Sequence, residues 1–277
     1  MRVRCLYLLS MLCLLITGQA NADVVAQRII SLAPHATEMA FAAGMGDQLI
    51  AVSAWSNYPP EAQQREQVAS WQGINLERVL ALKPDLILAW REGNPQRPLE
   101  QLSAFGIPVV YLDPMSLDAI PSMLEQLGQY SAHPDVARQN AQTLRQQLAD
   151  LKTHYAQTSK HQVFLQFGTH PLFTSGKQSL QNQVLALCGG INVFDDSKVP
   201  WPQVSREQVL RRKPQVIITT GTTADAAATR DFWSPQLSVP IITVEEDWFN
   251  RSGPRLLLAA QHICQQLAAL PSQETTH

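Results

Sequence analysis

With its first 22 residues set aside, this sequence is poor in several features that would otherwise define it. Only two of its 4 cysteines remain, Cys188 and Cys264, too few for a disulfide-dense scaffold or a cysteine-rich zinc module. No later apolar run approaches the roughly 20 residues that span a bilayer, so the mature chain is predicted to carry no integral membrane segment. Basic residues are not in excess. Without Arg2 and Arg4 they fall from 21 to 19 against 23 acidic ones, a net charge of about −4, which excludes nucleic acid as an expected partner. The 7 histidines are scattered, with no HExxH and no clustered Cys/His spacing, so no metal site is read. Gly176-Lys177 is no phosphate loop, because Gly168 is too far back and Gln178 stands where Ser or Thr is needed. Nor does any nucleophile have an identifiable base beside it, so no catalytic residue is assigned.

What is present begins with a leader. Arg2 and Arg4 precede an apolar run over 6–16, and the small-residue sequence Ala20-Asn21-Ala22 follows. This reads as a signal peptide over 1–22, cleaved after Ala22, with export to the periplasm. Cys13 lacks the small residue that would precede a lipidated cysteine. In an oxidising compartment, Cys188 and Cys264 are expected to form one disulfide, two separately buried thiols being the alternative.

The mature chain repeats itself. Trp71-Gln72-Gly73-Ile74-Asn75-Leu76-Glu77-Arg78-Val79-Leu80 leads through Lys83-Pro84-Asp85 into the apolar run Leu86-Ile87-Leu88; Trp201 to Leu210 leads through Lys213-Pro214-Gln215 into Val216-Ile217-Ile218. Gly106-Ile107-Pro108-Val109 is echoed by Ser238-Val239-Pro240-Ile241. Each half predicts a short helix capped by Asn75 or Ser205, whose side chains accept orphan amide protons, and then a buried strand. β-Branched runs separated by helices indicate parallel sheets covered on both faces. Between the halves, Val136, Asn140, Leu144, Leu148, Leu151 and Tyr155 recur at steps of three and four, which predicts one long amphipathic helix bracing both lobes. The expected organisation is an N-terminal lobe over 23–132, a bridging helix over 133–158 and a C-terminal lobe over 159–277.

Ligands of open α/β sheets sit where loops leave the carboxyl ends of strands, and these loops are rich in aromatics. Trp55, Trp71, Trp90, Phe173, Trp201, Trp248 and Phe249 all fall near predicted strand ends or turns, and none of the six tryptophans is placed in a core helix. Side chains of this size suit a broad, flat, largely apolar ligand. His35 and His170 each follow a first strand of their lobe, which keeps a haem or metal clamp open as an alternative; a metal-dependent hydrolase is a more remote one.

These segments resemble a known family. Thr37-Glu38, Ala40 to Gly44, Val68 to Leu88, Phe164 to Gly168, Thr174 to Lys177, Gln181 to Leu185, Val199 to Leu210 and Asp247-Trp248-Phe249 are similar to the cobalamin-binding branch of the helix-bridged (class III) solute-binding proteins of ABC importers, a class that also handles haem and siderophores. The resemblance implies two Rossmann-like α/β lobes with mostly parallel sheets, bridged by one long α-helix and holding cobalamin between them, with no cofactor of their own. It implies ligand contacts from Trp71, Phe173, Trp201, Asp247 and Arg251, with Trp55 where relatives commonly carry tyrosine, and with Trp248, Phe249 and Asn250 in the same loop as Asp247. His35 stands where a small residue is expected. Glu77 and Glu207 hold matched positions in the two repeats, and the resemblance makes them the contacts to an inner-membrane ABC permease dimer with its ATPase subunits. The free protein is expected to be a monomer.

Overall fold

The computed structural model describes residues 25–271; the expected leader and its cleavage site lie outside them. Two sheets form the frame. The first contains β1 (Ile29–Ser31), β2 (Leu49–Ser53), β3 (Glu66–Ser70), β4 (Gly73–Ile74), β5 (Leu86–Ala89) and β6 (Val109–Tyr111), in the order β4-β3-β2-β1-β5-β6. All its pairings are parallel except β3 with β4. The second contains β7 (His161–Gln166), β8 (Gly190–Asn192), β9 (Val216–Thr220) and β10 (Ile241–Val244), in the order β10-β9-β7-β8, all parallel. Helices surround both sheets, which is the two-lobed, mostly parallel α/β class expected.

The internal repeat is structural as well as sequential. Helices Leu76–Ala81 and Arg206–Arg212 open on Asn75 and Ser205, which accept from the amides of Arg78 at 3.1 Å and Gln208 at 3.2 Å. Lys83 and Lys213 both take a left-handed φ of 48° just before their prolines, a conformation that ends a helix abruptly. The strands that follow pair alike: Ile87 lies opposite Val109, and Ile217 opposite Ile241.

A 21-residue helix, Pro134–His154, connects the two halves and at the usual rise extends about 30 Å. Its buried positions are Ala137, Ala141 and Leu148, with Leu144, Leu151 and Tyr155 packed alongside. The expected seam is corrected at Val136 alone, and Ala137 and Ala141 join its inner face. Val136 faces outward, and Asn140 donates to the carbonyl of Ala42 at 2.8 Å. The alanines take the inner face because the backbone must approach closely there; a Cβ on Gly128 would lie 3.0 Å from that of Ala137.

One hydrophobic cluster runs from Ile29, Leu88 and Leu112 of the first lobe, through Ala137 and Leu148, to Val163, Val184 and Leu256 of the second. Outer clusters cover the opposite faces of the sheets, with Ile30 and Ile87 in one and Phe164 and Ile217 in the other. Trp233 belongs to the latter. It ends helix Thr223–Trp233 and is 1% exposed, so the expectation that all six tryptophans avoid core helices is wrong at this residue; a half-apolar helix gave no periodic signal strong enough to show its inner face. Cys188 and Cys264 form a disulfide with an S–S distance of 1.99 Å, tying the end of helix Leu180–Leu187 to helix Leu256–Ala268. No helix among the described residues is long and apolar enough to cross a membrane.

Candidate functional site

In the first sheet β1 lies between β2 and β5, and in the second β7 lies between β8 and β9. Loops leave such neighbouring strands in opposite directions, and the crevice that opens there is where open α/β sheets hold ligands. From the first lobe this point receives His35 and Glu38 on helix Pro34–Ala42, Trp55 after β2 and Trp90 after β5. The second lobe supplies Phe167 just after β7 and residues 245–251 after β10.

Several of the aromatics expected in a site are uncovered. Trp71, in the turn between β3 and β4, is 87% exposed; Trp55 is 74% and Trp201 43% exposed. Free indole surface on this scale is costly in water and is the ordinary mark of a binding surface. Trp201 stands edge-on to Phe167 at 5.1 Å, and Phe167 stacks on Phe249 at 5.8 Å. Phe249 itself is buried, so its ring backs this wall from beneath. Phe173 is half-buried, and its backbone pairs with Phe167 and Gln203, linking the loop after β7 to the segment bearing Trp201. Trp248 packs partly buried against the main core, while Asn250 is exposed.

Asp247 and Arg251 enter a cluster that local sequence does not reveal. Arg251 donates to Glu38 at 2.8 Å, to Asn57 Oδ1 at 2.8 Å and to the Trp55 carbonyl at 3.0 Å, and pairs with Asp247 at 2.6 Å. Asn57 Nδ2 in turn donates to Asp247 at 2.9 Å. Arg255 donates to both Glu38 oxygens, at 2.6 and 3.0 Å, and its guanidinium lies 4.3 Å from the Tyr58 ring centre. Glu38, Asn57, Tyr58 and Arg255 thus join Asp247 and Arg251 in one cluster, and sequence reasoning did not single them out. The one signal available was an acid within the alanine-rich segment 36–43. The partner arginines lie more than 200 residues away, beyond any local pattern. A separate cavity of about 710 Å³ opens beneath Arg255 and Tyr58, lined also by Phe41, Asn140 and Leu258; none of the exposed tryptophans borders it.

His35 is buried, its Nε2 lies 3.0 Å from the Leu112 carbonyl, and its ring meets Trp90 edge-on at 5.4 Å. Burial lowers its pKa against the smaller raising effects of that carbonyl, Asp113 and Glu38. His170 is exposed beside Phe232. Among the described residues no group of three or more His, Cys, Asp or Glu could hold a metal ion. Glu77 and Glu207 are exposed in the first turns of their matched helices. A hydrogen bond with Ser205 holds the Glu207 carboxyl below the usual carboxylate range.

Two sheet-based lobes joined by a single long helix, with uncovered aromatics on each lobe, define a solute-binding architecture. Residues 29–232 match the periplasmic binding protein family, and the chain belongs to that family. It is 67% identical over 254 residues to the vitamin B12-binding protein of Pectobacterium atrosepticum, covering 90% of this chain and 91% of that one. To the vitamin B12-binding protein of Yersinia pestis it is 60% identical over 247 residues, 89% of this chain and 88% of the relative. Among solved structures it resembles the periplasmic vitamin B12 binding protein BtuF of Vibrio cholerae, with a TM-score of 0.82 and 45% identity over 87% of this chain and 96% of that one. A periplasmic heme binding protein of Pseudomonas aeruginosa aligns with a TM-score of 0.77 at 22% identity, covering 91% of this chain and 96% of that one; this likeness concerns the fold alone.

Proposed function

We propose that this protein captures cobalamin between its two lobes in the periplasm and delivers it to an inner-membrane ABC importer. The observation that carries the reading is the set of uncovered indoles, Trp55 and Trp71 from one lobe and Trp201 from the other, in a chain whose relatives at 60% and 67% identity are vitamin B12-binding proteins. A corrin ring is broad and flat, and aromatic faces from both sides cover it more fully than either lobe alone. In this reading Trp55, Trp71, Phe173 and Trp201 meet the ring and Asp247, Trp248 and Asn250 its polar rim, while Phe249 and Arg251, expected among the contacts but buried, support them from behind. The N-terminal lobe is read as 23–132 and the C-terminal lobe as 159–277, joined by the segment 133–158 that carries helix Pro134–His154. Glu77 and Glu207, one on each lobe, meet basic patches on the two subunits of the permease, and the ATP hydrolysis that drives uptake belongs to that importer. The protein itself returns its ligand unchanged.

His35 is buried beneath Trp90, which speaks against it as an iron ligand, since a ligating ring must reach the bound haem. The test is to mix the mature protein separately with cyanocobalamin, haem and a ferric siderophore, following retention by calorimetry and visible spectra. Retention of cyanocobalamin with one site per chain is expected; a clear preference for haem overturns the reading.

A further inference from the structure

We propose that Glu38 is a positioning residue of the cleft, a buried carboxylate that anchors Arg251 and Arg255 of the second lobe and through them sets the Trp55 loop. The inference rests on the functional reading above for its ligand, though not for its geometry. The Glu38 side chain is 2% exposed, and those of Arg251 and Arg255 are 10% and 13% exposed. With Asp247 the cluster balances two positive against two negative charges, the condition under which buried ions are tolerated. Such a cluster contributes little net stability but admits few alternative geometries, because each misplacement strands a charge.

The direction of its effect follows from what Arg251 holds. Trp55 has a left-handed φ of 65°, which a bulky side chain adopts only when its surroundings enforce it. Its carbonyl accepts from Arg251 at 3.0 Å and from the Asn57 amide at 2.9 Å. From within, Ser56 is held by the hydroxyls of Thr37 at 2.8 Å and Ser53 at 3.0 Å. One side of the loop is therefore built by its own lobe and the other by the opposite lobe. Glu38 keeps Arg251 from turning wholly towards Asp247, so the distance between lobes and the pose of Trp55 are set together.

The test is Glu38→Gln, with cyanocobalamin affinity measured by calorimetry and hydrogen exchange of residues 54–57 measured in the ligand-free protein. Glu38→Gln is expected to speed that exchange and to weaken binding about tenfold, and most of the loss should vanish in a Trp55→Ala background, since coupled residues are not additive. A purely structural role would give equal losses in both backgrounds. Should Glu38→Gln fail to fold, Arg255→Gln loosens the same carboxylate at its more accessible edge and is expected to give the same coupling. Unchanged exchange and affinity in the variant that folds, or fully additive losses, overturns the positioning role. Wild-type protein that does not retain cyanocobalamin overturns the functional reading, and the exchange measurement still decides whether Glu38 holds the loop.

Discussion

Trp71→Ala separates binding from folding more cleanly than any other change. In the free protein Trp71 is 87% exposed in a turn, so removing it deletes almost no packing, and surface substitutions of this kind stay within about ±0.5 kcal/mol of wild-type stability. On binding, the indole can cover about 150–250 Å². At about 25 cal/mol per Å², contact through one face, about half of that area, gives roughly 2–3 kcal/mol. The expected loss of affinity is thus about 30- to 150-fold. Calorimetric titration with cyanocobalamin, beside thermal melts, reads both quantities. Trp233→Ala supplies the opposite control. Its ring is 1% exposed among Phe164 and Phe232, and it should lose about 3–5 kcal/mol of stability without touching ligand. Wild-type affinity in Trp71→Ala, or a large fall in its melting temperature, would refute the argument that its exposure is kept for ligand.

Glu77→Arg combined with Glu207→Arg should leave cobalamin affinity nearly intact while abolishing importer binding, because like charges across such an interface cost several kcal/mol; normal uptake in cells would end the docking role. Reducing the Cys188–Cys264 disulfide, which closes a loop of 76 residues, should lower stability by on the order of 4 kcal/mol, read from denaturant melts with and without reductant. Because His35 has a lowered pKa in the folded state, the unfolded chain binds its proton first as pH falls. The stability this gives neutral His35 is complete above about pH 6.5 and is lost progressively below it. His35→Gln should flatten that part of the stability profile, and an unchanged slope just below about pH 6.5 would refute the assignment.

The duplicated segments around Trp71 and Trp201, the caps at Asn75 and Ser205 and the strands after Lys83-Pro84 and Lys213-Pro214 were all legible in the sequence, because each depends on neighbours within a few residues. Pairing of Cys188 with Cys264 was legible for a different reason: an oxidising compartment and a count of two leave few options. The bridging helix was legible in length but not in face. The periodic pattern put Val136 on the inner face, whereas close backbone approach put Ala137 and Ala141 there, and close approach is a property of two elements together. Trp233 looked like the other tryptophans until the helix carrying it was seated on Phe164. The cluster of Glu38, Asn57, Asp247, Arg251 and Arg255 was decided by tertiary structure alone. Its charges come from opposite lobes, 213 residues apart for Glu38 and Arg251, and a carboxylate shows itself as buried and paired only once the chain has folded back to bring a guanidinium to it.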